Sequence, residues 1–177
     1  MSAASWLRSS RASAPPDISI KIIEVVDSCL PMDASGEFVA GGERSDVVCD
    51  LLAHLAVEMI RMNREKQEEI RGFLAWLSVY IGDRIDDLSN KTKAQTYYEA
   101  DFGELLAVLK KNRGKLGVDP GRPAFGEDLR QEHSASMEKL APLLLRIGEV
   151  DRLIDAIVYR LYGLTEAEVA IVEGSLS

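Results

Sequence analysis

The chain has 177 residues, a length that fits one domain with a modest extension. Its formal net charge of −8 argues against a protein that coats nucleic acid, because phosphate binding needs clustered cations. No run reaches the roughly 18 apolar residues of a membrane-spanning helix, so we expect no membrane contact. The two cysteines lack CxxC spacing, which indicates a reducing environment, so we expect a cytoplasmic protein.

The chain begins with a segment that predicts a tail. Residues 1–16 (MSAASWLRSSRASAPP) contain two arginines and several Ser and Ala residues, but they lack the apolar segment of a secretory signal. We interpret them as a disordered tail, with an organelle transit peptide as the alternative. Residues 17–44 then read as a short apolar element and a Gly/Ser-rich linker. The apolar spacing in 17–31 fits both a helix and a strand, and we favour the helix.

A long helix is predicted to follow this linker. Ser45 and Asp46 are residue types that cap the start of a helix, and apolar residues then return to one side of it. The predicted helix covers about 47–87 and would be roughly 60 Å long at 1.5 Å per residue. A helix of this length needs a partner of similar length to bury its apolar stripe.

The predicted partner lies in the last third of the chain. A second apolar stripe covers about 127–161, and Pro142 within it predicts a kink or break about one turn earlier. A shorter helix is predicted over about 101–113, with Asn112 as part of its stop. A loop rich in Gly and Pro, 116–126, separates the shorter helix from the second long one.

The C-terminal residues carry the signals of a helix end and a new helix start. Gly163 suits a left-handed cap, and Thr165 with Glu168 three residues later forms a capping box that opens a short last helix. The predicted fold is therefore all-α, with one helical domain over 45–175. It has two long antiparallel helices, a shorter helix packed alongside them and a short C-terminal helix.

The motifs of common enzyme classes are absent from the sequence. It contains no GxGxxG, no GxxxxGK[ST], no HExxH and no GxSxG, and it has two histidines. Asp50, His54 and Glu58 recur at four-residue steps, and Glu132 and His133 could add ligands from the other long helix. The Glu-x-x-His pairs of di-iron bundles are missing, and such charge spacing is common on exposed helices. We predict no catalytic residue, no metal site and no cofactor.

Basic residues are concentrated in one part of this acidic chain. Residues 91–122 hold seven basic and four acidic side chains, a net charge of +3. Such a strip could touch a nucleic-acid backbone, or it could be a solvated surface. The candidate contacts to a DNA backbone are Lys91, Lys93, Lys110, Lys111, Arg113 and Lys115.

Aromatic residues lie beside the start of this strip. Tyr97, Tyr98 and Phe102 follow Lys91 and Lys93, and such a cluster could stack on bases. The alternative is that the aromatic rings dock this part of the chain onto the long helices.

Three stretches together resemble a known helical region. They are DLLAHLAVEMIRMNREKQEEIRGFLAWL (50–77), IDDLSNKTKAQTYYEADFGELLAVLKKNRGKLGVD (85–119) and KLAPLLLRIGEVDRLIDAIVYRLYGLTEAEVAIVEG (139–174). They resemble the C-terminal helical region of type IIG restriction-modification enzymes and of adenine-specific DNA methyltransferases. In those proteins the region follows the methylase core and accompanies target recognition. The resemblance covers about 45–175, roughly three quarters of the chain.

The chain lacks the catalytic and cofactor-binding motifs of that family. It has no Asn-Pro-Pro-Tyr tetrapeptide, no glycine-rich site for S-adenosylmethionine and no PD-(D/E)xK pattern. The resemblance therefore implies a helical module without catalytic activity that braces a methyltransferase or restriction subunit, or the rest of a longer polypeptide. It would contact DNA weakly, and a homodimer is compatible with it. The alternative is a coiled-coil interaction or dimerisation module with no DNA role.

Overall fold

The computed structural model describes residues 16–33, 38–39 and 41–175. Residues 1–15 of the predicted tail (1–16) and part of the predicted linker lie outside the described residues, whereas Pro16 begins a helix. The described residues form six α-helices and no strand. The helices are α1 (Pro16–Cys29), α2 (Ser45–Ile81), α3 (Lys91–Gln95), α4 (Phe102–Lys111), α5 (Pro123–Leu161) and α6 (Glu166–Ser175). The all-α prediction is confirmed, and the apolar element after the tail is a helix.

The first long helix ends earlier than the apolar pattern predicted. It stops at Ile81 rather than at residue 87, and Gly82 adopts a φ of +68° that favours glycine. A Cβ on Gly82 would lie 3.3 Å from the Cα of Gly117, whose N–H donates to the Ile81 carbonyl at 2.8 Å. This close approach of two backbone segments ends the helix, and the apolar residue Ile85 that follows is buried in a short 3₁₀ turn.

The second long helix is continuous. It begins at Pro123, a residue well suited to a first helical turn, and it continues through Pro142 without the predicted break. Contacts between the two helices have a constant register. Glu69 pairs with Lys139 at 3.0 Å, and the Tyr80 hydroxyl donates to Asp128 at 2.8 Å. The residue number of the partner in α5 decreases as the residue number in α2 increases, so these parts of α2 and α5 are antiparallel.

Caps border the shorter helices, and those predicted at Gly163 and at Thr165 with Glu168 are present. Asp101 precedes α4, and its carboxylate accepts from the Glu104 N–H at 2.9 Å. Gly163 ends α5 with a φ of +62°. The Thr165 N–H and hydroxyl both donate to the Glu168 carboxylate, at 2.8 and 2.7 Å, which completes the capping box before α6.

The described residues divide into two compact units, each with its own core. Unit 1 comprises residues 62–145, and unit 2 comprises 16–61 with 146–175. The core of unit 1 contains Ile70, Phe73, Leu77, Ile81, Ile85, Leu88, Ala94, Tyr97, Leu105, Val108, Leu109, Phe125, Leu129 and Leu140. The core of unit 2 contains Val26, Cys29, Leu30, Val48, Leu55, Leu153 and Ile157. No helix of the described part has the length and apolar character needed to cross a membrane.

Candidate functional site

Two of the six predicted DNA contacts already have acidic partners. The Lys91 ammonium lies 3.7 Å from the Asp86 carboxylate, and that of Lys93 lies 3.3 Å from Glu104. All four side chains are exposed, so each pair is weak and competes with solvent. Their charges are nevertheless locally balanced, and this lowers the positive potential that they could offer to a phosphate.

The other four predicted contacts cluster at the end of α4. Lys115 donates to the backbone carbonyl of Asp87. Lys110 and Lys111 occupy the last turn of α4, Arg113 follows it, and all three are exposed. Within the described part of the chain, no acidic side chain forms an ion pair with these three. We call Lys110, Lys111 and Arg113 the cationic group. Their position also suits the negative end of a helix dipole, which is a structural reason for basic residues there.

A buried asparagine holds the cationic group in place. The Asn112 side chain accepts from the Ser89 N–H at 2.8 Å and donates to the Ser89 and Val108 carbonyls at 3.0 and 2.8 Å. The sequence identified Asn112 as a helix stop, and the structure adds that it ties the chain after α2 to the end of α4. The cationic group is therefore attached to a well-anchored helix end.

The aromatic residues beside the basic strip mostly pack against other residues of unit 1. Tyr97 is fully buried, its ring centroid is 4.0 Å from that of Phe73, and its hydroxyl lies 2.7 Å from the Ser136 hydroxyl. The Arg130 guanidinium covers the Phe102 ring at 4.3 Å. These rings dock the 91–102 segment onto the long helices, which agrees with the alternative to base stacking.

Two tyrosines of this unit are held in the neutral form. Burial raises the pKa of Tyr97 to about 12, against a smaller opposite effect of its hydrogen bond with Ser136. The pKa of Tyr80 is also raised to about 12, by burial and by its hydrogen bond to the Asp128 carboxylate. Neither phenol ionises near neutral pH, so neither is poised to act as a base.

His133 is a core residue in the same unit. Its ring is buried among Phe73, Tyr97 and Phe102, and its Nε2 atom has no hydrogen-bond partner among the described residues. Burial lowers the pKa of His133; a backbone hydrogen bond with Tyr97 opposes this effect, and the charge of Arg130 adds to it. The described residues contain no group of three or more His, Cys, Asp or Glu side chains arranged to hold a metal ion.

Unit 2 contains a groove that the sequence did not predict. Its volume is about 840 Å³, and the ends of α1 and α5 line it together with α6. Its apolar lining includes Leu30, Met32, Ala156, Leu164, Val169 and Ala170. The available sequence signal was the mixed apolar and acidic composition of 153–174, but only tertiary packing brings the end of α1 to it.

The rim of the groove is acidic. Asp155 and Glu166 are exposed and line it together with Glu173. The pKa of Tyr159 on the same wall is raised by burial and then by the charges of Asp155 and Glu173. Arg160 donates to Asp27 at 2.6 Å, so one of the two arginines that line the groove is paired within the chain. An apolar floor with an acidic rim suits an apolar segment that carries cations.

Part of the chain matches a family of known proteins. A domain of unknown function (DUF8810) matches residues 49–158, which is more than half of the chain. No curated protein and no solved structure matches the chain. The matched residues include the cationic group and most of both long helices. Most of the groove lining lies outside them.

Proposed function

The chain belongs to the DUF8810 family, and we propose that it is a non-catalytic helical module that binds a larger protein. The support for this proposal comes from the contacts and charges of the chain. The observation that carries the proposal is the groove of unit 2, whose apolar lining includes Leu30, Met32 and Leu164.

The groove defines the chemistry of the segment that it would receive. Apolar side chains of a partner would be removed from water on the groove floor, which is the main source of binding free energy. Lysine or arginine side chains of the same segment would lie beside Asp155 and Glu166, and this complementarity favours fast and selective association. A segment that carries acidic side chains would be repelled by the acidic rim.

The sequence resemblance suggests the class of partner. Helical regions of that kind stand beside the methylase core and the target-recognition part of restriction-modification enzymes. The chain would then brace a methyltransferase or restriction subunit in the cytoplasm. It would supply contacts, while the partner would supply the chemistry.

Charge reversal at the groove rim tests this proposal. The tagged full chain is recovered from the cells that encode it, alongside Asp155→Lys/Glu166→Lys and the matched control Asp151→Lys. Asp151 is exposed on the same helix and does not line the groove. We expect the parent chain and the control to retain a protein with an Asn-Pro-Pro-Tyr methylase signature, and the double variant to lose it. Retention by all three chains, or the absence of any methylase, contradicts the proposal.

A second candidate function is contact with a DNA backbone through the cationic group. The supporting observation is that Lys110, Lys111 and Arg113 form no ion pair within the described residues. Three phosphate contacts give a slope of log affinity against log salt of roughly −2.7, whereas all six predicted residues would give roughly −5.4. The acidic chain should bind DNA weakly by itself, at ~10⁻⁴ M or poorer near physiological salt.

Two matched triple variants test the DNA contact. One is Lys110→Ala/Lys111→Ala/Arg113→Ala, and the other removes the partnered cations Lys91, Lys93 and Lys115. A duplex of mixed sequence is titrated at several salt concentrations with the full chain. We expect the first variant to abolish most of the salt dependence and the second to leave it nearly unchanged. Equal effects, or no effect of the first, would rule out the cationic group as the contact.

A further inference from the structure

Helix α2 carries a second apolar face in unit 2, on the side turned to solvent. We call it the α2 stripe, and its members are Cys49, Ala53, Ala56, Val57 and Ile60. All five are exposed, and Val57 and Ile60 each retain 63% of their accessible surface. Positions 49, 53, 56 and 60 are separated by four, three and four residues, which is the spacing of a helix–helix seam.

The inward face of the same segment is already occupied. Val48 and Leu55 are buried in the core of unit 2, so the burial of α2 on its own unit does not require the α2 stripe. A helix that packs only on one side normally has polar residues on the other side. The α2 stripe departs from that pattern for three helical turns and therefore marks a contact surface.

The charges beside the α2 stripe indicate what covers it. Asp46 and Asp50 lie at its amino end, and Arg61 lies at its carboxyl end. Arg61 also bonds Glu58 at 2.9 Å, and 46% of the Arg61 side-chain surface remains exposed. The surface thus has an acidic end and a basic end, which makes it complementary to its own reversed copy.

The positions fix the register of such a pair. The midpoint of Cys49 and Ile60 and the midpoint of Ala53 and Ala56 both fall between residues 54 and 55. A two-fold axis there places Cys49 of one copy against Ile60 of the other, and Ala53 against Ala56. It also brings Arg61 of each copy to the level of residue 48 in the other, between Asp46 and Asp50. A parallel pair would instead place like charges side by side.

We propose that a second copy of this chain packs against the α2 stripe, with the two α2 helices antiparallel about a two-fold axis. The inference goes beyond the proposed function and does not rest on it. The contact spans about three turns, so the interface lies at the small end of known interface sizes, and we expect dissociation on the order of micromolar concentration.

Sedimentation equilibrium over a range of concentrations tests the dimer. Val57→Glu/Ile60→Glu is compared with Val79→Glu, since Val79 is 83% exposed on the same helix outside the α2 stripe. Circular dichroism confirms that each variant keeps the helical content of the parent chain. We expect the parent and Val79→Glu to dimerise and the double variant to dissociate at least about tenfold more readily. A parent chain that is monomeric throughout, or a double variant that dimerises like the parent, overturns the proposal.

A cysteine placed in the α2 stripe tests the register. In Ile60→Cys, mild oxidation should link Cys49 of one copy to the new thiol of the other, as read by peptide mass spectrometry. The parent chain should give no Cys49–Cys49 link, because the antiparallel register separates those residues. A Cys49–Cys49 link in the parent, or no link in the variant, would overturn the antiparallel arrangement.

Charge-reversal variants control for a loss of folding, because a misfolded variant would not regain association when mixed with its opposite. Arg61→Asp should weaken the dimer, and so should Asp46→Arg/Asp50→Arg. A mixture of these two variants should form a heterodimer more readily than either forms a homodimer, because opposite charges then meet at both ends. Failure of the mixture to recover association would overturn the charge register. Loss of the larger partner with the dimer intact would count against the proposed function alone.

Discussion

The two units use apolar residues in different ways. Fourteen residues form the buried core of unit 1, including three aromatic ones, whereas seven form the core of unit 2, and none of these is aromatic. Exposure is reversed, since eight of the nine large apolar residues that the described part leaves exposed belong to unit 2. They are Ile20, Val25, Met32, Val39, Val57, Ile60, Tyr162 and Ile171. Unit 1 thus buries most of its large apolar residues, and unit 2 leaves more of them exposed.

The source of the difference is the distribution of aromatic side chains. Phe73, Trp76, Tyr80 and Phe125 form a chain of ring contacts in unit 1, with centroid separations of 4.8 to 5.8 Å. Large rings bury more area per residue than aliphatic side chains do. The core of unit 1 contains three aromatic residues, whereas the smaller core of unit 2 is built without any.

The largest expected effect comes from placing a charge in each core. Leu129→Asp in unit 1 and Ile157→Asp in unit 2 each bury an unpaired carboxylate, because both positions are fully buried. The cost is several kcal/mol, comparable to the whole stability of a domain. We expect Leu129→Asp to abolish cooperative melting. Ile157→Asp should remove amide protection from unit 2 and leave much of the protection in unit 1.

Hydrogen exchange read by mass spectrometry separates these outcomes. The matched control is Val79→Asp, which places the same charge on an exposed apolar position. Simultaneous loss of protection in both units of Ile157→Asp would show that the two cores unfold as one cooperative structure. That result would contradict the distinction between the two units.

A smaller effect should follow from removing one hydroxyl in unit 1. Tyr97→Phe keeps the ring but leaves the buried Ser136 hydroxyl without its partner at 2.7 Å. We expect a loss of about 1–2 kcal/mol in the free energy of unfolding, measured by urea denaturation. The double variant Tyr97→Phe/Ser136→Ala should recover part of that loss. A single variant as stable as the parent would mean that the hydroxyl pair contributes nothing.

The smallest predicted effect is a pH dependence within unit 1. His133 has a lowered pKa in the folded chain because it is buried, so the unfolded chain binds its proton first as the pH falls. Stability from this residue is therefore complete above the unfolded pKa of about 6.5 and declines as the pH falls from there toward the lower folded value. His133→Leu should flatten the melting temperature in that window. The exposed-site control His54→Leu should keep the slope of the parent, and equal slopes in all three chains would refute the assignment.

Local signals in the sequence predicted most of the helices. The two apolar stripes indicated the long helices, while Gly163 and the Thr165–Glu168 pair marked helix ends that the structure confirms. These signals act over three or four residues, so the sequence shows them directly. The end of α2 was missed because it depends on Gly117, which is 35 positions from Gly82 along the chain.

The candidate sites depend on contacts that a single sequence does not show. Whether a lysine is free or paired is decided by tertiary neighbours, as for Lys93 and Glu104, which are 11 residues apart. The groove joins the end of α1 to α5 and α6, which lie more than 100 residues away. The exposure of Val57 and Ile60 could not be predicted either, because an apolar stripe in a sequence does not show which side of the helix is covered by other residues.

Amide hydrogen exchange as a function of protein concentration tests most directly whether unit 2 is the binding unit. The full chain is labelled at a concentration well below and one well above the expected micromolar dissociation constant. We predict that protection of residues 49–60 in α2 rises with concentration, while protection of the core of unit 1 stays constant. Unchanged exchange at 49–60, or a rise confined to unit 1, would contradict the account.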